Sequence, residues 1–118
     1  MLTNRKIGFI GSGNMAEAIV SGIVSSNAAL GKNIICSDVR SDKLKKLEDL
    51  YGVLTTTENR EVVDQSEIII YAVKPQLLGR VLKETADLLD MSKLLISIAA
   101  GVPLAAIESC LNKELRLI

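Results

Sequence analysis

Short apolar runs and longer stretches of helical spacing alternate along the whole chain. KIGFI (residues 6–10) reads as a strand, and residues 14–26 read as a helix. NIICSDV (33–39) is a second strand, followed by a helix over residues 42–50. GVLTTT (52–57) holds a short third strand, NREVVDQ (59–65) a short helix or turn, and EIIIYAV (67–73) a fourth strand. Residues 76–89 carry the clearest helical spacing, with Leu77, Leu78, Val81, Leu82, Ala86 and Leu89 in phase. KLLISIA (93–99) is a fifth strand, Pro103 opens a helix to about residue 111, and ELRLI (114–118) begins a sixth strand. Fully apolar strands alternating with helices predict an α/β fold with a doubly wound parallel sheet in a single domain. In the version of that fold with strand order 3-2-1-4-5-6, a ligand lies where the winding reverses, between the carboxyl ends of strands 1 and 4. The loops after Ile10 and after Val73 meet there.

Composition narrows the chemistry. Of 118 residues, 48% are apolar but only 3% aromatic, so the core must be aliphatic. Lys plus Arg equals Asp plus Glu, 14 each, which gives no electrostatic case for nucleic acid or an anionic membrane. Histidine is absent, so the commonest general base and metal ligand are missing, and no metal site is expected. Cys36 and Cys110 fit no zinc or redox spacing and read as small buried hydrophobes. With no secretory pattern and no apolar stretch of membrane-spanning length, a soluble cytoplasmic protein is expected.

One stretch stands out. IGFIGSGNMAEAI (residues 7–19) contains Gly11, Gly13 and Ala16 as G-x-G-x-x-A between a predicted strand and helix. Gly11 permits a sharp turn, Gly13 leaves room for a pyrophosphate against the backbone, and Ala16 lets helix and strand approach. The helix N-terminus offers free N–H groups and a partial positive charge to phosphates. Without a ligand, the same residues make a plain strand-to-helix turn. Gly22, inside the helix, is expected to mark close packing on the sheet. Asp38 ends the second strand, where an acid accepts hydrogen bonds from ribose hydroxyls and disfavours a 2′-phosphate. Arg40 lies two residues on, followed by Lys43 and Lys45, and a guanidinium there can clamp a phosphate at two points. These residues leave the choice between NAD and NADP open.

YAVKPQ (71–76) and SIAAGVP (97–103) are two further strand-to-helix turns at the same end of the sheet. Taken in order and spacing, GFIGSGNMAEAI, AVKPQ and SIAAGV resemble the N-terminal cofactor domain of the pyrroline-5-carboxylate reductases, over essentially the whole chain. That family reduces the C=N bond of 1-pyrroline-5-carboxylate with NAD(P)H to make proline. The resemblance implies a Rossmann-like domain binding NADP or NAD. Its cofactor contacts map onto Ile10, Gly11, Ser12, Gly13, Asn14 and Met15 in the glycine loop. Asn59 matches an asparagine near the adenosine ribose. Ala72, Val73, Lys74 and Pro75 match the segment beside the nicotinamide ribose and ring, and Ile98, Ala99 and Ala100 the loop on its far side. Asp38 departs from the small or basic residue that members often carry at that position, and with Arg40 it completes the candidate cofactor contacts.

The resemblance also implies a longer enzyme. Members continue into an all-helical domain that forms the dimer and supplies most substrate contacts. The chain is therefore expected to be a cofactor-domain fragment, inactive alone, with no catalytic residue of its own, from an enzyme built of dimers. Imine reduction needs a hydride donor near an electrophilic carbon and a proton on nitrogen, so positioning can carry most of the catalysis. Lys74 is expected to contact cofactor rather than act in proton transfer, because a cation beside an iminium opposes its protonation. Alternative readings are a β-hydroxyacid dehydrogenase or coenzyme F420-dependent NADP reductase, or a non-catalytic dinucleotide sensor.

Overall fold

The strands divide their side chains between two cores by their period of two. The computed structural model describes residues 5–98 and 116–117. In chain order these form β1 (Ile7–Ile10), α1 (Asn14–Ser25), β2 (Ile34–Ser37), α2 (Ser41–Tyr51) and β3 (Leu54–Thr56). Then come α3 (Asn59–Gln65), β4 (Ile68–Tyr71), α4 (Pro75–Thr85), β5 (Leu94–Ser97) and β6 (Arg116–Leu117). The strands lie in the order β3-β2-β1-β4-β5-β6, and every neighbouring pair is parallel. This is a Rossmann-like doubly wound sheet, as the alternation predicts.

Ile7 and Phe9 of β1, Ile34 and Cys36 of β2 and Ile70 of β4 face one side, where they pack with Ala16 and Val20 of α1 and Leu47 of α2. Ile10, Ile35, Ile69, Tyr71 and Leu95 face the other side, against Val62 and Val63 of α3 and Leu78, Val81 and Leu82 of α4. Right-handed crossovers place α1 and α2 on one face and α3 and α4 on the other, because the winding reverses after β3. Burying an aliphatic side chain this way contributes roughly 1.5–3 kcal/mol, so these two clusters hold the helices onto both faces of the sheet. Cys36 is buried as expected, and burial pushes its thiol up to about 12, so it stays an uncharged hydrophobe at neutral pH.

Several boundaries differ from the pattern for local reasons. β2 stops at Ser37, so Asp38 lies just past the strand. α4 begins at Pro75, whose missing N–H costs nothing at a first helical position. It ends at Thr85 instead of continuing to residue 89. The buried Thr85 hydroxyl donates back to the Val81 carbonyl at 3.0 Å, and the chain tightens into a 3-10 turn over Ala86–Leu88. α2 stops at Gly52, which takes the left-handed conformation (φ 68°) and donates its N–H to the Glu48 carbonyl.

The expectation for Gly22 is corrected. It is exposed, and a Cβ there meets nothing within 4 Å, so close packing does not require glycine. The glycine that packing does require is Gly8 in β1, where a Cβ would overlap Ser66 Oγ and Val62 Cγ1. The end of α3 lies directly on the strand there. The expected helix from Pro103 to residue 111 and Cys110 lie outside the described residues. Among the described residues, no helix is long and apolar enough to cross a membrane, and no group of three or more Cys, Asp or Glu is placed to hold a metal ion.

Candidate functional site

At the carboxyl end of β1 the chain must turn sharply between two strands. Gly11 does this with φ 97°, a conformation L side chains rarely adopt, and a Cβ there would lie 2.7 Å from the Ala72 carbonyl oxygen. Its N–H donates to the Ser37 carbonyl at 3.0 Å, and the Ala72 N–H donates to the Ile10 carbonyl at 2.8 Å. The turn is thereby tied to β2 on one side and β4 on the other. Ser12 is buried, and its hydroxyl donates to the same Ser37 carbonyl at 2.9 Å. Gly13 then caps α1. The space at its Cβ position is open, its nearest neighbour being Arg40 Nη2 at 3.9 Å. The α1 N-terminus is therefore accessible where its free N–H groups concentrate positive potential.

Asp38 organises the next wall. Its Oδ2 accepts the Ser12 N–H at 2.9 Å and Arg40 Nη2 at 2.9 Å. Its Oδ1 accepts the Arg40 backbone N–H and Nε, each at 2.9 Å. The Asp38 side chain is 6% exposed, whereas that of Arg40 is 51% exposed. Burial alone pushes a carboxyl up, but here hydrogen bonds from the Arg40 side chain and from the backbone of Arg40 and Ser12 outweigh it. They lower Asp38 from 3.8 to about 2. Below this pair, the Ser37 hydroxyl donates to Asn59 Oδ1 at 2.7 Å, which ties the start of α3 to the end of β2.

These groups line one cleft of about 450 Å³, within the usual range for small-molecule sites. The structure brings ten of the predicted residues into it. Ile10, Gly11, Ser12 and Gly13 come from the glycine turn, Asp38 and Arg40 from the end of β2, and Asn59 from α3. Ala72, Val73 and Lys74 come from the loop after β4. Asn14 and Met15 sit in the first turn of α1, outside the lining, with Met15 63% exposed. Pro75 opens α4 beside Lys74 without lining the cleft. Ile98 packs against the α1-side core instead, its N–H donating to the Tyr71 carbonyl at 3.2 Å. Ala99 and Ala100 lie outside the described residues.

Five lining residues were not foreseen as site residues: Val39, Thr57, Leu77, Arg80 and Val81. Val39 is 90% exposed between Asp38 and Arg40, an uncovered apolar side chain at the rim. Leu77, Arg80 and Val81 follow from the start of α4 at Pro75, because positions three and four apart share one helical face. The helical spacing read over residues 76–89 already places these positions on one face; that this face continues past the core into the cleft is visible only once α4 is packed on the sheet.

Three cations and one carboxylate line this space: Arg40, Lys74 and Arg80 against Asp38. The chain as a whole carries no net charge. Lys74 caps α4, whose first turn has no acid, although α1, α2 and α3 carry Glu17, Asp42 and Glu61 there. Glu17 is engaged by Lys46 at 3.2 Å and by the Tyr51 hydroxyl at 3.2 Å, so its charge is compensated away from the cleft. A lysine at the positive end of a helix dipole adds to the field there, and the result is a concave surface with unneutralised positive charge.

The sheet order and the turn after β1 define the Rossmann-like class of α/β proteins. Within that class the chain belongs to the family described as NADP oxidoreductase, coenzyme F420-dependent, which it matches over residues 6–101. The individual proteins that it is most usefully set beside are pyrroline-5-carboxylate reductases. It is 41% identical to that of Methanosarcina acetivorans over 117 residues, covering 99% of this chain and 43% of the relative. The solved structure of the Coxiella burnetii pyrroline-5-carboxylate reductase superposes with a TM-score of 0.92 at 34% identity, over 98% of this chain and 43% of that one. The Plasmodium falciparum enzyme, solved with NADP bound, gives a TM-score of 0.83 at 30% identity, over 97% and 40%. The chain thus spans about two fifths of the length of these relatives.

Proposed function

We propose that this chain is the NAD(P)-binding domain, residues 1–118, of a two-domain pyrroline-5-carboxylate reductase that reduces 1-pyrroline-5-carboxylate to L-proline. The observation that carries the reading is the open Gly13 position at the α1 N-terminus, with the Arg40 guanidinium beside it, in a cleft with excess positive charge. A pyrophosphate needs backbone N–H groups with no side chain in front of them, and this turn supplies them. The similarity to named reductases supplies the reaction.

In this reading a bound nicotinamide dinucleotide, NADP or NAD, supplies the hydride that reduces the C=N carbon. The chain's own residues hold and orient it. Gly13, Asn14 and Met15 present the free N–H groups of the α1 N-terminus to the phosphates, while Ile10, Gly11 and Ser12 shape the turn that brings them there. Asn59, already fixed through Ser37, presents its amide at the ribose side. Ala72 and Val73 bring small side chains and backbone beside the reacting ring, stiffened by Pro75, and the family resemblance assigns the far side of the ring to the segment of Ile98, Ala99 and Ala100. Lys74 adds a cation at the α4 N-terminus for the cofactor's phosphates or ribose. Tyr71, the only buried phenol nearby, is spent on packing: burial pushes it up to about 12, and its hydroxyl lies against Thr85 at 3.4 Å. It offers no proton to a substrate, consistent with catalysis by positioning. Substrate contacts and dimer formation belong to a helical domain absent from residues 1–118, giving a homo-oligomer in the complete protein. A cytoplasmic location is part of this proposal.

The test adds NADPH or NADH and 1-pyrroline-5-carboxylate to the full-length gene product. Cofactor oxidation with formation of proline is expected. Cofactor binding without turnover supports a dinucleotide sensor instead, and turnover only with coenzyme F420 supports the chemistry for which the matched family is described. Residues 1–118 alone are expected to bind cofactor more weakly than the complete enzyme and to form no proline. In the complete enzyme, Lys74→Ala is expected to raise the cofactor KM more than it lowers kcat. A large loss of kcat at saturating cofactor overturns that role.

A further inference from the structure

The α1 N-terminus that the proposed function assigns to a pyrophosphate carries a charge of the wrong sign. Gly13 caps the helix without a side-chain hydrogen bond, and Glu17 is the acid of its first turn. The Glu17 N–H donates to the Gly13 carbonyl at 2.9 Å, so this residue closes that turn, about 6 Å along the axis from the cap. An acid there suits a helix with nothing bound, because its charge complements the helix dipole. It opposes a ligand that brings two negative charges to the same N–H groups.

The fold answers this from a neighbouring helix. Lys46 Nζ lies 3.2 Å from Glu17 Oε1, and the Tyr51 hydroxyl donates to Glu17 Oε2 at 3.2 Å. Each carboxylate oxygen thus has a partner from α2. The Glu17 side chain is 18% exposed, whereas that of Lys46 is 51% exposed. A pair with one partner this sheltered is screened by salt less than a fully exposed pair. The adjacent lysine behaves differently. Lys45 pairs with Asp49 on its own helix at 3.4 Å, and both side chains are well exposed. One residue turns a helix by about 100°, and of these two lysines only Lys46 meets α1.

We propose that Lys46 is a positioning residue for the dinucleotide: without touching the phosphates, it holds and neutralises Glu17 and so keeps the α1 N-terminus receptive to a pyrophosphate. This rests on the dinucleotide reading above and extends it to a residue outside the cleft. The pair leaves Glu17 in place to support α1 while cancelling its charge for the ligand. Removing the Lys46 charge leaves one uncompensated negative charge a turn away from the phosphates. Removing the Glu17 charge leaves one uncompensated positive charge. The two changes break the same ion pair, yet they move dinucleotide affinity in opposite directions. A pair that only braces α1 against α2 gives both changes the same sign.

The test is calorimetric titration of residues 1–118 with NADP⁺ and with NAD⁺, at low salt and at about 1 M salt. At low salt, Lys46→Met is expected to weaken both dinucleotides about threefold to tenfold, the scale of one unit charge acting through partly screened solvent. At about 1 M salt the loss should shrink below about twofold. Glu17→Gln should strengthen both dinucleotides by a similar factor at low salt. Glu17→Gln combined with Lys46→Met should return affinity to within about twofold of the parent chain. Lys46→Arg keeps the charge and should bind as the parent does. Lys45→Met removes a charge from the same helix without disturbing Glu17, and should also bind as the parent does. Weaker or unchanged binding by Glu17→Gln overturns the proposal, and that arm decides it even where Lys46→Met fails to fold. A double variant as weak as Lys46→Met overturns it in favour of a brace between helices, and an equal loss from Lys45→Met overturns it in favour of net charge alone. Parent binding that Lys46→Met leaves unchanged overturns this extension and spares the dinucleotide reading. Binding of neither dinucleotide by the parent chain overturns both.

Discussion

Arg5 meets Glu67 at 2.8 Å, Lys6 Nζ donates to Asn33 Oδ1 at 3.1 Å, and Lys93 Nζ donates to the Val63 and Ser66 carbonyls at 2.8 Å each. All three cations lie at the amino ends of the strands, where they tie β1, β2, β4 and β5 to their neighbours. At the carboxyl ends, Lys74 and Arg80 find no such partner among the described residues, and the one carboxylate present is already engaged by Arg40. Both ends have a concavity, about 210 Å³ at the amino end and about 450 Å³ at the carboxyl end. The difference is what the polar groups are doing. At the amino end Arg5, Lys6 and Lys93 close the structure on itself, whereas at the carboxyl end Lys74 and Arg80 are left facing open space. Preorganised charge without an internal partner stabilises a bound anion instead of the fold, and the two ends should respond differently to mutation.

The sharpest break of this comparison is Gly11→Ala. The positive φ and the contact with the Ala72 carbonyl are both incompatible with a Cβ, so a loss of about 3 kcal/mol or more is expected. Denaturant unfolding reads the stability, and titration at a temperature where the variant is folded should show dinucleotide affinity gone. Next is Gly8→Ala, which crowds α3 against β1 toward the amino end and should cost about 1–3 kcal/mol with affinity unchanged in the folded fraction. Ser66→Gly in the same chain should recover part of that loss by making room. A large change in affinity from Gly8→Ala would blur the distinction between the two ends.

Asp38 gives a pH signature of smaller size. Its carboxyl is held at about 2 in the folded chain, below its ordinary 3.8. A depressed carboxyl contributes stability that is fully present above its unfolded value and is lost as pH falls from about 4 toward 2. The contribution should be about 1–2 kcal/mol, allowing for the solvent around Arg40. Asp38→Asn should flatten that part of the stability-versus-pH curve, measured by unfolding at fixed ionic strength. At the bottom of the scale, Arg5→Ala removes an exposed ion pair and should leave both stability and dinucleotide affinity unchanged within error.

The architecture was legible because the signals are local and repeated. Fully apolar strands such as IIIY and the helical spacing after residue 76 mark their elements within a few residues of sequence, although the start at Pro75 and the stop at Gly52 were seen only in the structure. The glycine turn was legible for the same reason: only glycine serves at Gly11. What escaped was whatever depends on two segments meeting. Arg80 is an ordinary helical arginine until α4 is placed beside the end of β2. Asp38 and Arg40 could be read separately as favouring NAD and NADP, and only their mutual hydrogen bonds show that they act as one group. Close packing was assigned to Gly22 and belongs to Gly8, because packing against a Cβ position is invisible along the chain. The early end of α4 came from a buried threonine turning its hydroxyl back on the helix, which the apolar spacing does not encode.

The central claim, that the carboxyl end of the sheet is the ligand end, is tested most directly by amide chemical shifts of the isotopically labelled chain during titration with NADP⁺. The account predicts saturable shifts at Gly11, Ser12, Gly13, Asp38, Arg40, Asn59 and Lys74, with Lys6, Asn33, Glu67 and Lys93 unmoved. Shifts concentrated at the amino-end residues, or no saturable shifts at millimolar NADP⁺, would contradict it.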